Sequence, residues 1–262
     1  MKSRSLVLGT AVALIAATLA GCAEQGGKNA NVDDARLVEG SPDGADWLSY
    51  GRTMDEQRFS PLTQVTDQNV NQLGLEWSSD LDTARGQEAT PIVVDGIMYI
   101  STAWSMVKAY DAATGKKLWE YDPKVPRAKL VDVCCDAVNR GVAVYKGRVY
   151  VGTLDGRLVA LEQATGKVVF EKTVVPNQQD YTITGAPRVV KGKVLIGQGG
   201  SEFEQRGYLS AYDAETGRLS WTPPSRGPAY SHFLVRIDDD SIAPKYVMSK
   251  RTKELVLPLL IY

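Results

Sequence analysis

The chain has 262 residues, with 30 basic residues, 31 acidic residues, one histidine and a formal net charge of −1. A chain so near neutrality lacks the basic surplus that nucleic-acid binding requires, and one histidine excludes a zinc site built on a histidine cluster. Three cysteines and 24 glycines are spread unevenly, and their positions say more than their number.

The N-terminus carries Lys2 and Arg4, followed by an apolar run from Leu6 to Ala20. That run is too short for a stable membrane-spanning helix and reads as the core of an export signal. It ends in Leu19-Ala20-Gly21-Cys22, which resembles a bacterial lipobox. In such a sequence small residues fit the peptidase, and the cysteine is linked to diacylglycerol before cleavage. An ordinary cleaved signal with an incidental cysteine is the alternative. Residues 1–21 are thus expected to be removed, with the protein exported to the periplasm and anchored through Cys22. Ala23, where an inner-membrane retention signal would place Asp, favours the outer membrane. Residues 22–45, rich in Gly, Asn and Asp, are expected to form a flexible tether. Loss of Lys2 and Arg4 leaves 28 basic against 31 acidic residues, a net charge of −3. The mature chain is long enough for one sizeable domain.

Three segments then repeat. They are Ala109 to Trp119 (AYDAATGKKLW), Ala160 to Phe170 (ALEQATGKVVF) and Ala211 to Trp221 (AYDAETGRLSW). Their glycines, Gly115, Gly166 and Gly217, are spaced 51 residues apart. Upstream of each lies an alternating Val/Ile/Tyr pair of strands around Asp95-Gly96, Lys146-Gly147 or Lys191-Gly192, the signature of a two-residue hairpin. The Thr-Gly pair supplies a second turn. Four strands per unit of this length predict an all-β protein, a β-propeller of four-stranded blades. The terminal aromatic of each unit is expected to pack against its neighbour, since a blade cannot bury both faces alone.

The repeat is interrupted twice. Hairpin glycine to turn glycine spans 19 residues in the first two units and 25 in the third, so six extra residues fall in GQGGSEFEQRGY. A further six fall between the first and second units, in DVCCDAVNR. Insertions that spare the strands map to one end of a blade, where sites are built. Adjacent cysteines are uncommon. Cys134 and Cys135 are either joined in a rigid eight-membered ring, a flat surface for a planar ligand, or are two separately buried thiols.

The DVCCDAVNRG run resembles the vicinal-cysteine motif of the alcohol dehydrogenases that depend on pyrroloquinoline quinone (PQQ), the methanol/ethanol quinoprotein family. Other segments match in order: Trp47 to Trp77, Glu88 in QEATPIVV, Thr184 in TITGAP, and Gly199-Gly200-Ser201-Glu202 with Arg206-Gly207-Tyr208. The resemblance implies that Cys134 and Cys135 form a disulfide stacked on PQQ. It also implies that Glu88, Arg140, Thr184, Gly199, Gly200 and Ser201 contact the quinone, and that Glu202 binds Ca²⁺ or a lanthanide. Taken singly, Glu88, Thr184 and Arg140 would read as a solvated carboxylate, a strand residue and a surface charge. Glu204-Gln205 departs from the family loop, where small or apolar residues are usual. A small alcohol is the implied substrate. With no Cys-x-x-Cys-His haem motif, the electron acceptor would be a separate protein such as a cytochrome c.

After Trp221 the pattern stops. Residues 222–262 have no Thr-Gly turn and hold the lone His232, as a frameshifted or prematurely stopped reading frame or a gene fragment would. The expected organisation is a partial propeller over 46–221, about three to four of the family's eight blades, followed by an aberrant tail. The family's catalytic aspartate, the metal's asparagine ligand and the tryptophan on the quinone's other face would lie beyond it, leaving no catalytic residue and an inactive chain. Propeller lipoproteins that scaffold outer-membrane assembly share the lipobox and the blade pattern and form the alternative. They have no use for adjacent cysteines.

Overall fold

The computed structural model describes residues 32–175, 180–200, 203, 205 and 207–222, together with the backbone of 235–238 and 241–244. Strands form where Val, Ile and Tyr alternate. In the first unit β1 (Ile92–Val94), β2 (Ile97–Ser101), β3 (Val107–Asp111) and β4 (Lys117–Tyr121) follow one another. The second unit comprises β5 (Ala143–Tyr145), β6 (Arg148–Gly152), β7 (Arg157–Glu162) and β8 (Val168–Thr173). The third comprises β9 (Arg188–Val190), β10 (Lys193–Gly197), β11 (Leu209–Asp213) and β12 (Leu219–Trp221). Each unit is one antiparallel sheet with its strands side by side in chain order, as a propeller blade requires.

The turns explain the order. Asp95-Gly96, Lys146-Gly147 and Lys191-Gly192 all have positive φ at both residues, the twist that joins two strands without splaying them. At the second turn Asp111 accepts hydrogen bonds from the Thr114 backbone N–H at 2.8 Å and its hydroxyl at 2.7 Å. Asp213 does the same with Thr216 at 3.0 and 2.8 Å. Lys193 adds an ion pair at 2.9 Å, and these contacts hold the Asp213 carboxyl well below the usual range.

Blades join through an aromatic ring laid on the glycine of the next Thr-Gly turn. A Cβ at Gly166 would stand 2.5 Å from Trp119, and one at Gly217 would stand 2.8 Å from Phe170. The Trp119 indole N–H also donates to the Gln163 carbonyl at 3.0 Å. Phe170 has no such donor, and the equivalent carbonyl, of Ala214, accepts instead from the Tyr150 hydroxyl at 2.9 Å and from Arg148 at 2.9 Å. Trp77 repeats the arrangement one unit earlier. It donates to the Ala112 carbonyl at 3.0 Å, and a Cβ at Gly115 would stand 2.4 Å from its ring. Trp77 therefore takes toward the first blade the place that Trp119 takes toward the second. Between the sheets Tyr99, Val107, Val149, Leu158, Val159 and Val194 are fully buried.

The flexible tether expected over residues 22–45 does not extend past residue 31, because residues 32–45 are folded. Asp33 caps the short helix α1 (Asp34–Glu39) by accepting from the Arg36 N–H at 2.9 Å, and Val32 and Leu37 lie in the core. The polar composition misleads because the segment's charged side chains and one backbone carbonyl are spent on the first hairpin turns of the three blades. Arg36 reaches Asp95 at 2.7 Å, the Val32 carbonyl accepts from the Lys146 N–H at 2.8 Å, and Asp34 accepts from the Lys191 N–H at 2.7 Å. Asp34 also accepts from the Tyr145 hydroxyl at 2.9 Å. Beyond the third blade, β13 (Val235–Asp238) and β14 (Ser241–Pro244) pair as an antiparallel hairpin outside the three sheets, an element the sequence reading did not foresee.

Two substitutions probe this frame. Gly166→Ala combines a left-handed backbone with overlap on Trp119 and should cost about 2–4 kcal/mol, read as a lowered urea midpoint. Asp34→Ala strands a buried tyrosine hydroxyl and a backbone donor, and should cost about 1–3 kcal/mol in the same measurement.

Candidate functional site

In a four-stranded meander both hairpin turns fall at one end. The second-to-third connection and the link to the next sheet fall at the other. Both insertions lie at that second end, one in the link between β4 and β5, the other between β10 and β11.

The residues leading into the innermost strands converge there. Glu88 precedes β1, Arg140 precedes β5 and Thr184 precedes β9, each by three or four residues. Adjacent leaders are bonded along their backbones. The Thr90 N–H donates to the Arg140 carbonyl at 3.3 Å, and the Arg140 N–H donates to the Thr184 carbonyl at 2.8 Å. Gly141 has φ of 141°, a conformation that side chains rarely adopt, and a Cβ there would lie in ordinary contact with Ala186 at 3.4 Å and the Thr90 carbonyl at 3.5 Å. These backbone bonds bring three side chains from three blades together. The Arg140 guanidinium donates to the Thr184 hydroxyl at 2.5 Å and pairs with Glu88 at 2.9 Å.

The first two leaders are held by residues the sequence reading did not single out. The segment that delivers Glu88 is fastened to the first blade. Lys108, wholly buried, pairs with Asp82 at 3.0 Å, and Gln87 donates to the Ser101 carbonyl at 2.7 Å. Asn139, itself buried, donates to the Gly152 carbonyl at 2.9 Å and accepts from the Gly141 N–H at 3.1 Å, bracketing Arg140. A polar amide directly before Arg140-Gly141 was the available signal, and it lay inside the DVCCDAVNRG run.

Cys134 and Cys135 are joined by a disulfide, with their Cα atoms 3.8 Å apart, and both are exposed. Their flanks are not. Leu130 and Val133 pack upstream against Val125, Ala137 and Leu154, and Ala137, Val138 and Asn139 are buried downstream. The disulfide thus forms a lip on a fixed base. Gly199 is tied back to the third leader by paired bonds with Thr182, its N–H donating at 2.7 Å. Gly200 has φ of 124°, and a Cβ there would meet the Asp180 carbonyl at 2.2 Å, so only glycine fits. Ser201, Glu202 and Arg206 lie outside the described residues, as do Cys22 and His232.

The donor set suits a flat, multiply charged ligand. Arg140 presents a planar fork, 25% exposed, beside a hydroxyl, and the disulfide presents a rigid apolar face. A planar polycarboxylate fits these groups. Among the described residues, no group of three acidic, histidine or cysteine side chains converges to hold a metal.

The model of the glucose/ethanol/alcohol dehydrogenase β-propeller domain of PQQ enzymes matches residues 47–226. The chain belongs to this family. Quinohemoprotein alcohol dehydrogenase ADH IIB of Pseudomonas putida is 56% identical over 192 residues, covering 73% of this chain and 28% of that protein. The 1-butanol dehydrogenase (cytochrome c) of Thauera butanivorans is 54% identical over 70% of this chain and 27% of its own length. The solved quinohemoprotein alcohol dehydrogenase ADHIIG of Pseudomonas putida HK5 superposes with a TM-score of 0.72 at 53% identity, over 76% of this chain and 31% of that one. The PQQ-family chain therefore spans under a third of the length of these relatives. The family match also decides against the outer-membrane scaffold reading. For this PQQ-family site, Asn139→Ala should leave a buried carbonyl and a buried N–H without partners. The expected cost is about 1–3 kcal/mol, read as a lower thermal midpoint.

Proposed function

We propose that this chain forms one wall of a quinoprotein that oxidises small alcohols to aldehydes, with PQQ as the cofactor. The single observation behind the reading is the convergence of Glu88, Arg140 and Thr184 from three blades on the insert that carries the exposed Cys134–Cys135 disulfide. When bound, PQQ supplies a quinone carbonyl that accepts hydride from the alcohol carbon, while the alcohol's hydroxyl proton goes to a base. The chain's own residues bind and orient. Arg140 donates to a carboxylate or quinone oxygen, with Glu88 and Thr184 fixing the plane of its fork. The disulfide covers one face of the ring system and excludes water from it. Thr184 and the backbone around Gly199-Gly200 meet the remaining oxygens.

Further assignments go with this reading. Glu202 supplies an oxygen ligand to Ca²⁺ or a lanthanide, with Ser201 beside it on the quinone. Such an ion needs about six to eight oxygens, so this wall does not complete its shell, and the chain alone does not turn over alcohol. Electrons pass to an external acceptor such as a cytochrome c, a reading supported by the likeness to the 1-butanol dehydrogenase (cytochrome c) of Thauera butanivorans. The protein works in the periplasm, held to the outer membrane through Cys22.

The test is quinone retention. The purified chain, mixed with PQQ and Ca²⁺ and passed through gel filtration, should carry the quinone absorbance. The double variant Cys134→Ser/Cys135→Ser should retain roughly tenfold less. Ethanol should reduce no dye with either protein. No retention by the unaltered chain at any metal concentration would sink the reading.

A further inference from the structure

The loop between β2 and β3 departs from its counterpart in the second blade. There the turn is Asp155-Gly156, and the glycine takes the left-handed conformation with φ of 84°. In the first blade the same two stations hold Trp104 and Ser105, and both are left-handed, with φ of 65° and 58°. Neither residue type favours that conformation, and two in succession are maintained only when the surroundings impose them. Ser105 is explained by the next blade, because its buried hydroxyl accepts from the Leu154 N–H at 3.0 Å.

Trp104 is explained by the cysteine insert. Its backbone N–H donates to the Ala137 carbonyl at 2.8 Å, two residues beyond Cys135. Its ring packs with Leu130 and Val133, upstream of Cys134, against Val125, Ala137 and Leu154. Two guanidinium groups lie over the indole, Arg127 at 4.0 Å and Arg85 at 5.1 Å from the ring centre. Arg85 also pairs with Asp136, the residue directly after Cys135, which is itself left-handed at φ of 77°. Trp104 is therefore bonded through its backbone to the downstream flank, shares one apolar cluster with Leu130 and Val133 of the upstream flank and carries the upstream Arg127 over its ring, while Arg85 links it to Asp136.

We propose that Trp104, with Arg85 and Asp136, is a positioning unit that fixes the height and tilt of the Cys134–Cys135 lip against the quinone. It rests on the PQQ reading for what the lip meets, but not for the fixing itself. A charge-bearing clamp on an indole is rigid and short-ranged, which suits a surface that must stay flat while its apex is exposed.

The test uses the full chain and two readouts. Arg85→Gln, a change on a partly exposed side chain, leaves the fold intact. It should speed reduction of Cys134–Cys135 by dithiothreitol roughly fivefold or more and lower PQQ retention roughly tenfold. Trp104→Leu should do both more strongly. Arg85→Lys, which keeps the charge on Asp136, should recover most of the loss. Unchanged reduction rate and retention in Arg85→Gln would overturn the proposal. So would faster reduction matched by an equal fall in the urea midpoint of the whole domain, since that is general loosening. If the unaltered chain retains no PQQ while Arg85→Gln still speeds reduction at an unchanged midpoint, the quinone reading fails and the positioning role stands.

Discussion

Among the described residues, each joint between neighbouring units depends on an aromatic ring resting on a glycine that has no side chain to displace it. Trp77 on Gly115, Trp119 on Gly166 and Phe170 on Gly217 set the spacing of neighbouring sheets. The ring must be flat and the glycine bare, because any Cβ would overlap it. The indole donor adds orientation, since Trp77 and Trp119 each bond the carbonyl at one fixed station of the next turn. Where Phe170 removes that donor, Tyr150 and Arg148 take over the same carbonyl. The joint is thus conserved in its geometry while its chemistry is redistributed. That constancy brings three inner-strand leaders to one level, and the Glu88, Arg140 and Thr184 cluster depends on it.

Much of the frame was legible from sequence because its causes are local. Two-residue turns with positive φ need Asp-Gly or Lys-Gly, and alternating Val, Ile and Tyr needs a strand. The 51-residue spacing of Gly115, Gly166 and Gly217 marks the units in the sequence itself. The vicinal cysteines were legible for the same reason: they are neighbours in the chain. Arg140, Glu88 and Thr184 could be named only through resemblance, since nothing local distinguishes them from ordinary surface groups. Their meeting is a property of three blades together.

The misses share a cause. The segment 32–45 looks like a tether because it is polar, yet its carboxylates and arginine serve backbone and side-chain groups far away in the chain, Asp34 reaching Lys191 and Arg36 reaching Asp95. Trp104 looks like one more aromatic after a strand, and only its backbone conformation and its contacts on both sides of the cysteine insert mark it out. Asn139 sits within a motif that was recognised, yet its work is done on Gly152 and Gly141. In each case the partner's identity is fixed by packing between units, which periodicity within a unit does not encode.

The stretch from Val32 to Arg36 lies across the first hairpin turn of all three blades. The same five residues are therefore anchored to three turns, in the manner of a strap across three planks. The backbone bond at Lys146, the carboxylate contact of Asp34 and the ion pair at Asp95 each tie a different blade to it. The strap thus joins three nearest-neighbour units through one short segment, and it does so at the end of the blades opposite the disulfide.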